Sequence, residues 1–151
     1  MLFYGEFEAR LDAKGRLVLP ARIKAALPAE SESNLILTRG FEPCITLHPL
    51  SEWNKILERV TALDEFNEEF RNFQRNYLRG NAEVELDSNG RFILPKSMMK
   101  YANIDKEVIV VGVGKRVELW DPETYNAYLV KDQQQLSKMA EKVLGQGNGA
   151  A

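Results

Sequence analysis

"LDAKGRLVLP" (residues 11–20) returns, nearly residue for residue, as "LDSNGRFILP" (residues 86–95). Each stretch places an aspartate, a glycine and an arginine ahead of an apolar run that ends in proline. The copies stand 75 residues apart (86 − 11 = 75), and the offset contracts to 72 (112 − 40 = 72) where Gly40 aligns with Gly112. Such self-similarity indicates two copies of one supersecondary unit.

Each copy shows the same succession of patterns. Apolar and charged residues alternate along "EFEARL" and "AEVEL", and a period of two predicts a half-buried strand. The runs "RLVLP" and "RFILP" predict buried strands bounded by proline, and "ARIKAAL" and "KSMMKYA" predict short helices. The segments "LILTR" and "CITLH", and then "VIVVG" and "RVELW", predict two further strands per copy. Because a unit of about 50 residues buries little core alone, we expect an intramolecular pseudo-dimer with interleaved strands.

Longer helices are predicted after each copy. Ser51 is the expected N-cap of "EWNKILERVTAL", and Asp121 is the expected cap of a helix that begins with proline. An aromatic stripe follows one face of a helix predicted between Asp64 and Arg79, and it predicts core packing, with packing between subunits as the alternative. The stripe consists of Phe66, Phe70, Phe73 and Tyr77. A last helical pattern uses Leu136, Met139, Ala140, Val143 and Leu144.

These patterns divide the chain into five segments. They are repeat 1 (1–55), connecting helices (56–79), repeat 2 (80–125), a C-terminal helix (126–144) and a tail (145–151) that we expect to be disordered. Trp53 and Trp120 follow matching strands and are expected to anchor a core or an interface. Cys44 is expected to be a buried apolar residue.

Composition limits the class of protein. The chain has 151 residues, a formal charge of −2 and one cysteine, which fits a reducing compartment. The first residues lack the pattern of a signal peptide, and no apolar run reaches the roughly 20 residues of a membrane span, so a cytoplasmic protein is expected. His48 is the one histidine, and no glycine loop has phosphate-binding spacing. We therefore expect no enzyme, no metal and no cofactor.

The two loops, the segments "GFEPCITLHPLSEW" and "VGVGKRVELWD", and their spacing resemble the MraZ family across roughly residues 1–143. That family has two SpoVT/AbrB-type repeats. The resemblance implies an α+β fold in which the repeats form a swapped-hairpin β-barrel, a pseudo-dimer with flanking helices. It implies a transcriptional regulator that assembles into closed rings. It also implies binding to short direct repeats of double-stranded DNA upstream of its own operon, the division and cell-wall cluster, and hence association with the nucleoid.

The family's D-x-K-G-R loop falls on Asp12, Lys14, Gly15 and Arg16 in repeat 1, and on Asp87, Gly90 and Arg91 in repeat 2. Asn89 stands where the motif expects lysine. The aspartates are expected to accept backbone hydrogen bonds, and the glycines to adopt positive φ. Arginine can contact guanine and lysine can contact phosphate. The candidate DNA-contacting residues are Arg10, Lys14, Arg16, Lys24 and Arg91.

Two alternatives stay open at this point. Arg16 could instead pair with Asp12 or Glu8 and brace the fold, and the protein could be an AbrB-like module that recruits a protein partner, as antitoxins of that fold do. Residues 1–24 carry a formal charge of +2, from Arg10, Lys14, Arg16, Arg22 and Lys24 against Glu6, Glu8 and Asp12. Residues 80–100 balance to zero. The first repeat is therefore expected to dominate DNA contact.

Overall fold

Strands and helices alternate along the residues that the computed structural model describes, 2–29 and 34–145. The strands are β1 Phe3–Arg10, β2 Arg16–Val18, β3 Asn34–Arg39, β4 Ile45–Pro49, β5 Ala82–Glu85, β6 Arg91–Ile93, β7 Glu107–Gly114 and β8 Val117–Trp120. The helices are α1 Ala21–Ala25, α2 Leu50–Thr61, α3 Glu68–Leu78, α4 Lys96–Ala102, α5 Pro122–Tyr128 and α6 Gln133–Leu144. The mixed α+β class is confirmed, while the tail expected to be disordered lies, apart from Gly145, outside the described residues.

The strands of the two repeats interleave. A six-stranded antiparallel sheet has the order β1-β7-β8-β4-β3-β5, and β2 pairs with β6 in a separate two-stranded sheet. Exchanging the repeats, so that β1 becomes β5, β3 becomes β7 and β4 becomes β8, leaves the order of the large sheet unchanged. In each repeat the first strand pairs with a strand of the other repeat, because β1 joins β7 and β5 joins β3. The expected interleaving is therefore confirmed.

The strand register corrects one detail of the repeat alignment. Ala9 lies opposite Val108, whereas its equivalent Val84 lies opposite Leu35. Leu35 and Val108 are therefore equivalent, with an offset of 73 (108 − 35 = 73), and the position equivalent to Gly112 is occupied by Arg39 rather than Gly40. The offset of 72 holds only from β4 and β8 onward. The reason is that five residues separate Arg39 from its partner Ile45, whereas four separate the equivalent partners Gly112 and Val117.

The main core lies between the large sheet and the two-stranded sheet, with α1 and α4 closing it. Its central residues come from both repeats and include Leu17, Leu19, Phe92, Leu94, Leu37, Leu47, Val110 and Leu119. The runs "RLVLP" and "RFILP" were expected to be wholly buried, and this was wrong. Val18 is 54% exposed and Ile93 is 60% exposed, because alternate residues of a strand point to opposite faces.

The helix predictions had mixed outcomes. Asp121 caps α5, since its Oδ2 accepts from the Thr124 N–H at 3.1 Å. Ser51 is not the N-cap of α2. The helix begins at Leu50, and Pro49 occupies the cap position, where its φ of −60° suits a helix start. Trp53, Trp120 and Cys44 are buried, as expected.

The aromatic stripe does not enter the core as predicted. Phe66 is 89% exposed and Phe73 is 40% exposed. Tyr77 is half-buried and stacks on both Phe41 and Phe73, with ring centroids 5.7 and 5.4 Å apart. The stripe therefore covers the edge of the sheet with one half and faces solvent with the other. No helix within residues 2–29 and 34–145 is long and apolar enough to span a membrane.

Candidate nucleic-acid interface

The first loop (residues 12–16) is a tight turn organised by one carboxylate. Asp12 Oδ1 accepts from the backbone N–H groups of Lys14 and Arg16, both at 2.9 Å. Asp12 Oδ2 accepts from Arg16 Nε at 2.7 Å. Gly15 has φ +78°, a conformation that glycine adopts at low steric cost. Asp12 thus accepts three hydrogen bonds within the turn, and Gly15 adopts the positive φ that the reversal of the chain requires.

The second loop (residues 87–91) repeats this geometry. Asp87 Oδ1 accepts from the N–H groups of Asn89 and Arg91 at 2.9 Å, and Oδ2 accepts from Arg91 Nε at 2.9 Å. Gly90 has φ +73°. The exchange of lysine for Asn89 leaves the turn unchanged, because the residue at this position contributes its backbone N–H to the carboxylate. The two loops are therefore the same structure built twice.

Hydrogen bonds between the repeats hold the two loops side by side. The Leu94 N–H donates to the Gly15 carbonyl at 3.0 Å, and the Leu19 N–H donates to the Gly90 carbonyl at 2.9 Å. Between these contacts, β2 and β6 pair with Leu17 opposite Phe92. We call the pair β2 and β6 the ribbon. Since both loops lead into the ribbon, their positions are fixed relative to each other.

The ribbon has one face toward the core and one toward solvent. Leu17 and Phe92 point inward and are buried. The outer face holds the cross-strand pairs Arg16–Ile93 and Val18–Arg91. The importance of Val18 and Ile93 for this surface was missed, although the period of two in "RLV" and "RFI" already places each beside an arginine.

Each loop carboxylate bonds one guanidinium nitrogen of its arginine and leaves the other two guanidinium nitrogens available. In each loop the recorded side-chain bond uses only Nε, and the terminal guanidinium nitrogens have no hydrogen bond to any other part of the chain that the structure describes. Arg16 and Arg91 keep 29% and 27% of their side chains exposed. The alternative prediction that Arg16 pairs with Asp12 is thus confirmed, and the pairing leaves the outer edge of the guanidinium group available.

The loop carboxylates are strong acceptors. The Arg16 backbone N–H, followed by the Arg16 side chain and the Lys14 backbone, lowers the pKa of Asp12 below its usual value despite some desolvation. The backbone N–H and side chain of Arg91 lower the pKa of Asp87 in the same way. Both carboxylates are therefore ionised at neutral pH, so each arginine is held in one orientation.

The lysines are distributed differently from the sequence expectation. Lys14 is exposed at the tip of the first loop. Lys24 belongs to repeat 1 in sequence, but α1 carries it to the second loop, where a Cβ placed on Gly90 would lie 3.5 Å from Lys24 Nζ. Counting Lys14 with Asp12 and Arg16, and Lys24 with Asp87 and Arg91, gives each loop a formal charge of +1. The lysine missing at Asn89 is thus supplied from the other repeat.

Arg10 lies at the margin of this surface. Its Nη1 pairs with Glu107 Oε1 at 3.2 Å, and both side chains are exposed. It also lines a groove of about 880 Å³ between β1 and the second loop. Glu6 and Glu8 line the same groove, so its charge is balanced against Arg10 and Lys24. Val18 of the ribbon lines this groove as well, so Arg10 lies across the groove from one end of the ribbon.

The other chemically active side chains are unsuited to act here. Burial raises the pKa of the Cys44 thiol to about 12, which keeps it protonated. Burial, followed by the Arg116 charge, lowers the pKa of His48 to about 4. Within the described residues, no group of three or more His, Cys, Asp or Glu side chains is arranged to hold a metal ion.

Comparison with known proteins assigns the chain to one family. The sequence model described as "MraZ protein, putative antitoxin-like" matches residues 2–76 and again residues 77–146. The "Transcriptional regulator MraZ" of Cytophaga hutchinsonii is 51% identical over 142 residues, which cover 94% of this chain and 94% of that protein. The protein of the same name from Carboxydothermus hydrogenoformans is 40% identical over 143 residues, covering 95% and 97%. The doubled loop and these matches agree, and the chain belongs to the MraZ family.

Proposed function

We propose that this protein is a transcriptional regulator that binds double-stranded DNA through the outer face of the ribbon and its two loops. One observation carries the proposal: two equivalent Asp–Gly–Arg turns, fixed side by side, each hold an arginine by its Nε, and the terminal guanidinium nitrogens bond no other group within residues 2–29 and 34–145. Two relatives that match nearly the whole chain carry the name "Transcriptional regulator MraZ". The proposed role is non-enzymatic and needs no cofactor.

The geometry of the ribbon suits the major groove of B-DNA. That groove is about 12 Å wide and admits a two-stranded β-ribbon. Arginine can bond guanine O6 and N7 bidentately, and a guanidinium group whose orientation is already fixed loses less conformational freedom on binding. Asp12 and Asp87 therefore act as positioning residues for Arg16 and Arg91.

Both loops take part in this proposal. Lys14 supplies a phosphate contact beside the first loop, and Lys24 supplies the corresponding contact beside the second. The expected dominance of the first repeat rested on the formal charge of +2 for residues 1–24, which includes Lys24. The proximity of Lys24 to Gly90 supports a comparable contribution of the second loop. Arg10, which is paired with Glu107, is an outer phosphate contact.

The test is binding to the DNA upstream of the protein's own gene, measured by fluorescence anisotropy across a salt series. Arg16→Ala and Arg91→Ala are each expected to weaken binding by about 1–3 kcal/mol, or five- to 150-fold, and the two losses should lie within about threefold of each other. Lys14→Ala and Lys24→Ala are each expected to reduce the slope of log affinity against log salt by about 0.9.

Arg71→Ala is the matched control, because it removes one positive charge from α3, where Arg71 is exposed and bonds the Glu65 carbonyl. It should leave affinity within about twofold of the wild type. Binding that ignores salt, or equal losses at Arg71 and Arg16, would count against the ribbon as the DNA-binding surface.

The resemblance supports finer statements of the same proposal. The fold is a swapped-hairpin pseudo-dimer that closes into a barrel, in which the isolated bridge Leu11–Leu17 links β1 to the ribbon. The target is a set of short direct repeats upstream of the operon of division and cell-wall genes that contains its own gene. The protein acts in the cytoplasm, at the nucleoid. The interleaved pairing of β1 with β7 and of β5 with β3 supports the swapped arrangement.

Self-association into a closed ring is part of the proposal, and α6 supports it. Every residue of α6 is exposed, yet isolated helices of this length are marginal in water. Its apolar stripe repeats the spacing of α3 with an offset of 66 (136 − 70 = 66). The equivalent pairs are Phe70 and Leu136, Phe73 and Met139, Tyr77 and Val143, and Leu78 and Leu144. A helix with the pattern of a packed helix, but without a packing partner in the described chain, indicates contact with a second copy.

The receiving surface is the groove beside α3. It has a volume of about 550 Å³ and lies between the large sheet and helices α2 and α3. Phe41, Phe73 and Tyr77 line this groove, and Phe41 is 79% exposed. A contact in which α6 of one copy enters the groove of the next without reciprocation is head-to-tail, and head-to-tail contacts make rings when the rotation closes.

The second candidate function is an AbrB-like protein-binding module. The description of the family as antitoxin-like favours it. So does the apolar surface of residues 128–144, which holds seven of the sixteen large apolar side chains that are exposed among the described residues. Co-purification of a stoichiometric protein partner that displaces self-association, together with no DNA binding at low salt, would favour this alternative.

A further inference from the structure

Two apolar side chains stand between the arginines on the outer face of the ribbon. Val18 is 54% exposed and Ile93 is 60% exposed. Val18 lies opposite Arg91, and Ile93 lies opposite Arg16. Directly opposite residues of an antiparallel pair have Cβ atoms about 4.5–5.5 Å apart, so each apolar side chain stands beside a guanidinium group.

The core does not explain these two residues. The inward positions next to them, Leu17 and Phe92, are 0% and 2% exposed, whereas Val18 and Ile93 point away from the core. They occupy equivalent positions in the two repeats, so the exposed apolar patch is built twice. Apolar side chains that stand at equivalent positions beside arginines are suited to a partner with both anionic and apolar groups.

The chemistry around the patch selects its partner. Arg16 and Arg91 share its face, and Lys14 and Lys24 flank the loops, so the surroundings suit an anion. Among base edges in the major groove, the thymine C5-methyl is the apolar group, and small apolar side chains contact it. A surface that alternates guanidinium and β-branched groups therefore fits neighbouring guanines and thymines.

We propose that Val18 and Ile93 are specificity-determining residues that contact thymine methyl groups, beside guanines contacted by Arg16 and Arg91. This inference rests on the proposed DNA binding and adds a base preference to it. The pairs Arg16–Ile93 and Val18–Arg91 are equivalent in the two repeats. Each pair would therefore contact one guanine and one thymine. Replacing thymine by uracil removes the C5-methyl group from the DNA, and so removes the contact with Val18 and Ile93 while the rest of the duplex is unchanged.

The experiment compares two forms of the DNA upstream of the protein's own gene, one with thymine and one with uracil, which lacks the methyl group. The wild-type protein is expected to bind the uracil form about fourfold more weakly for each methyl contacted, and so about 16-fold for two. The Val18→Ala, Ile93→Ala double variant is expected to lose most of this preference, because the shortened side chains make less contact with the methyl groups. Val113→Ala should keep the wild-type preference, because Val113 is a 37% exposed strand valine on β7, outside the ribbon.

Each outcome decides the inference. Salt-sensitive binding with no preference for thymine overturns it and leaves the proposed function standing. A preference retained by the double variant also overturns it, because the methyl groups are then read elsewhere. A double variant with a smaller assembly than the wild type shows that the patch is a contact between subunits, which overturns it as well. No binding to either form, even at low salt, overturns the proposed function together with the inference.

Discussion

His48 is the single histidine of the chain, and its environment couples stability to pH. It is buried next to Trp53, with ring centroids 5.8 Å apart, and its Nε2 lies 3.4 Å from the Thr38 hydroxyl oxygen. Burial and the Arg116 charge lower its pKa from 6.5 to about 4. The folded state therefore holds neutral imidazole over a range in which the unfolded chain binds a proton.

The folded pKa of His48 is below the unfolded value, so its protonation favours the unfolded chain as pH falls. The wild type is expected to lose about 3 kcal/mol of unfolding free energy from this residue between about pH 7 and pH 4. His48→Gln keeps a polar side chain and removes the titration, so its loss over the same interval should be smaller by about that amount. Urea unfolding at both pH values measures the difference, and equal losses in the two proteins would contradict the assignment.

At the residue scale, interactions within one loop were predictable from the sequence, whereas contacts between residues of different repeats were not. The geometry of the first turn was predictable from the carboxylate of Asp12, which can accept backbone hydrogen bonds, and from the backbone freedom of Gly15. The position of Lys24 beside the second loop depends on the interleaving of the repeats, which brings α1 to residues distant in sequence. The charge count along residues 1–24 could not include that contact.

At the element scale, the hydrophobic period of a segment predicted whether it forms a helix or a strand, but it did not predict what that element packs against. The aromatic stripe correctly indicates a helix, but α3 begins at Glu68, so Phe66 lies in the preceding turn and is 89% exposed. Ser51 fits the composition of a cap, yet Pro49 starts α2, since a favourable φ at proline can begin a helix without a side-chain cap. The equal spacing of the stripes on α3 and α6 is the sequence feature on which the proposed self-association rests.

Val143→Glu tests the role of α6. Val143 is 52% exposed and lies in the apolar stripe, so a charge there opposes burial against another copy while glutamate still favours the helix. The expected result is an association at least tenfold weaker, seen by light scattering as a shift toward the 17.2 kDa single chain. Gln134→Glu adds the same charge on the opposite side of α6 and should keep the wild-type mass; a Val143→Glu protein of wild-type mass would exclude α6 from the interface.

At the scale of the whole molecule, duplication was visible in the sequence and the connection of the copies was not. The two decapeptides predicted two equivalent units and a need for mutual burial. The order β1-β7-β8-β4-β3-β5 requires knowledge of which strand edges meet, and many pairings would satisfy the same alternation. The result of the interleaving is that each chain presents two loops together, so even one subunit offers a two-part surface.

A ring would multiply that surface, and its contribution to DNA binding can be separated from the contact of a single subunit. The wild-type protein is expected to bind a duplex with three direct repeats 10²- to 10⁴-fold more tightly than a duplex with one, because linked sites raise effective concentration. Val143→Glu, if dissociated, should bind the single-repeat duplex within about threefold of the wild type and lose most of the gain. Anisotropy titrations on both duplexes measure this. A dissociated variant that keeps the full gain would contradict linkage through α6, because independent subunits cannot produce such a gain and the loops would then have to be linked in another way.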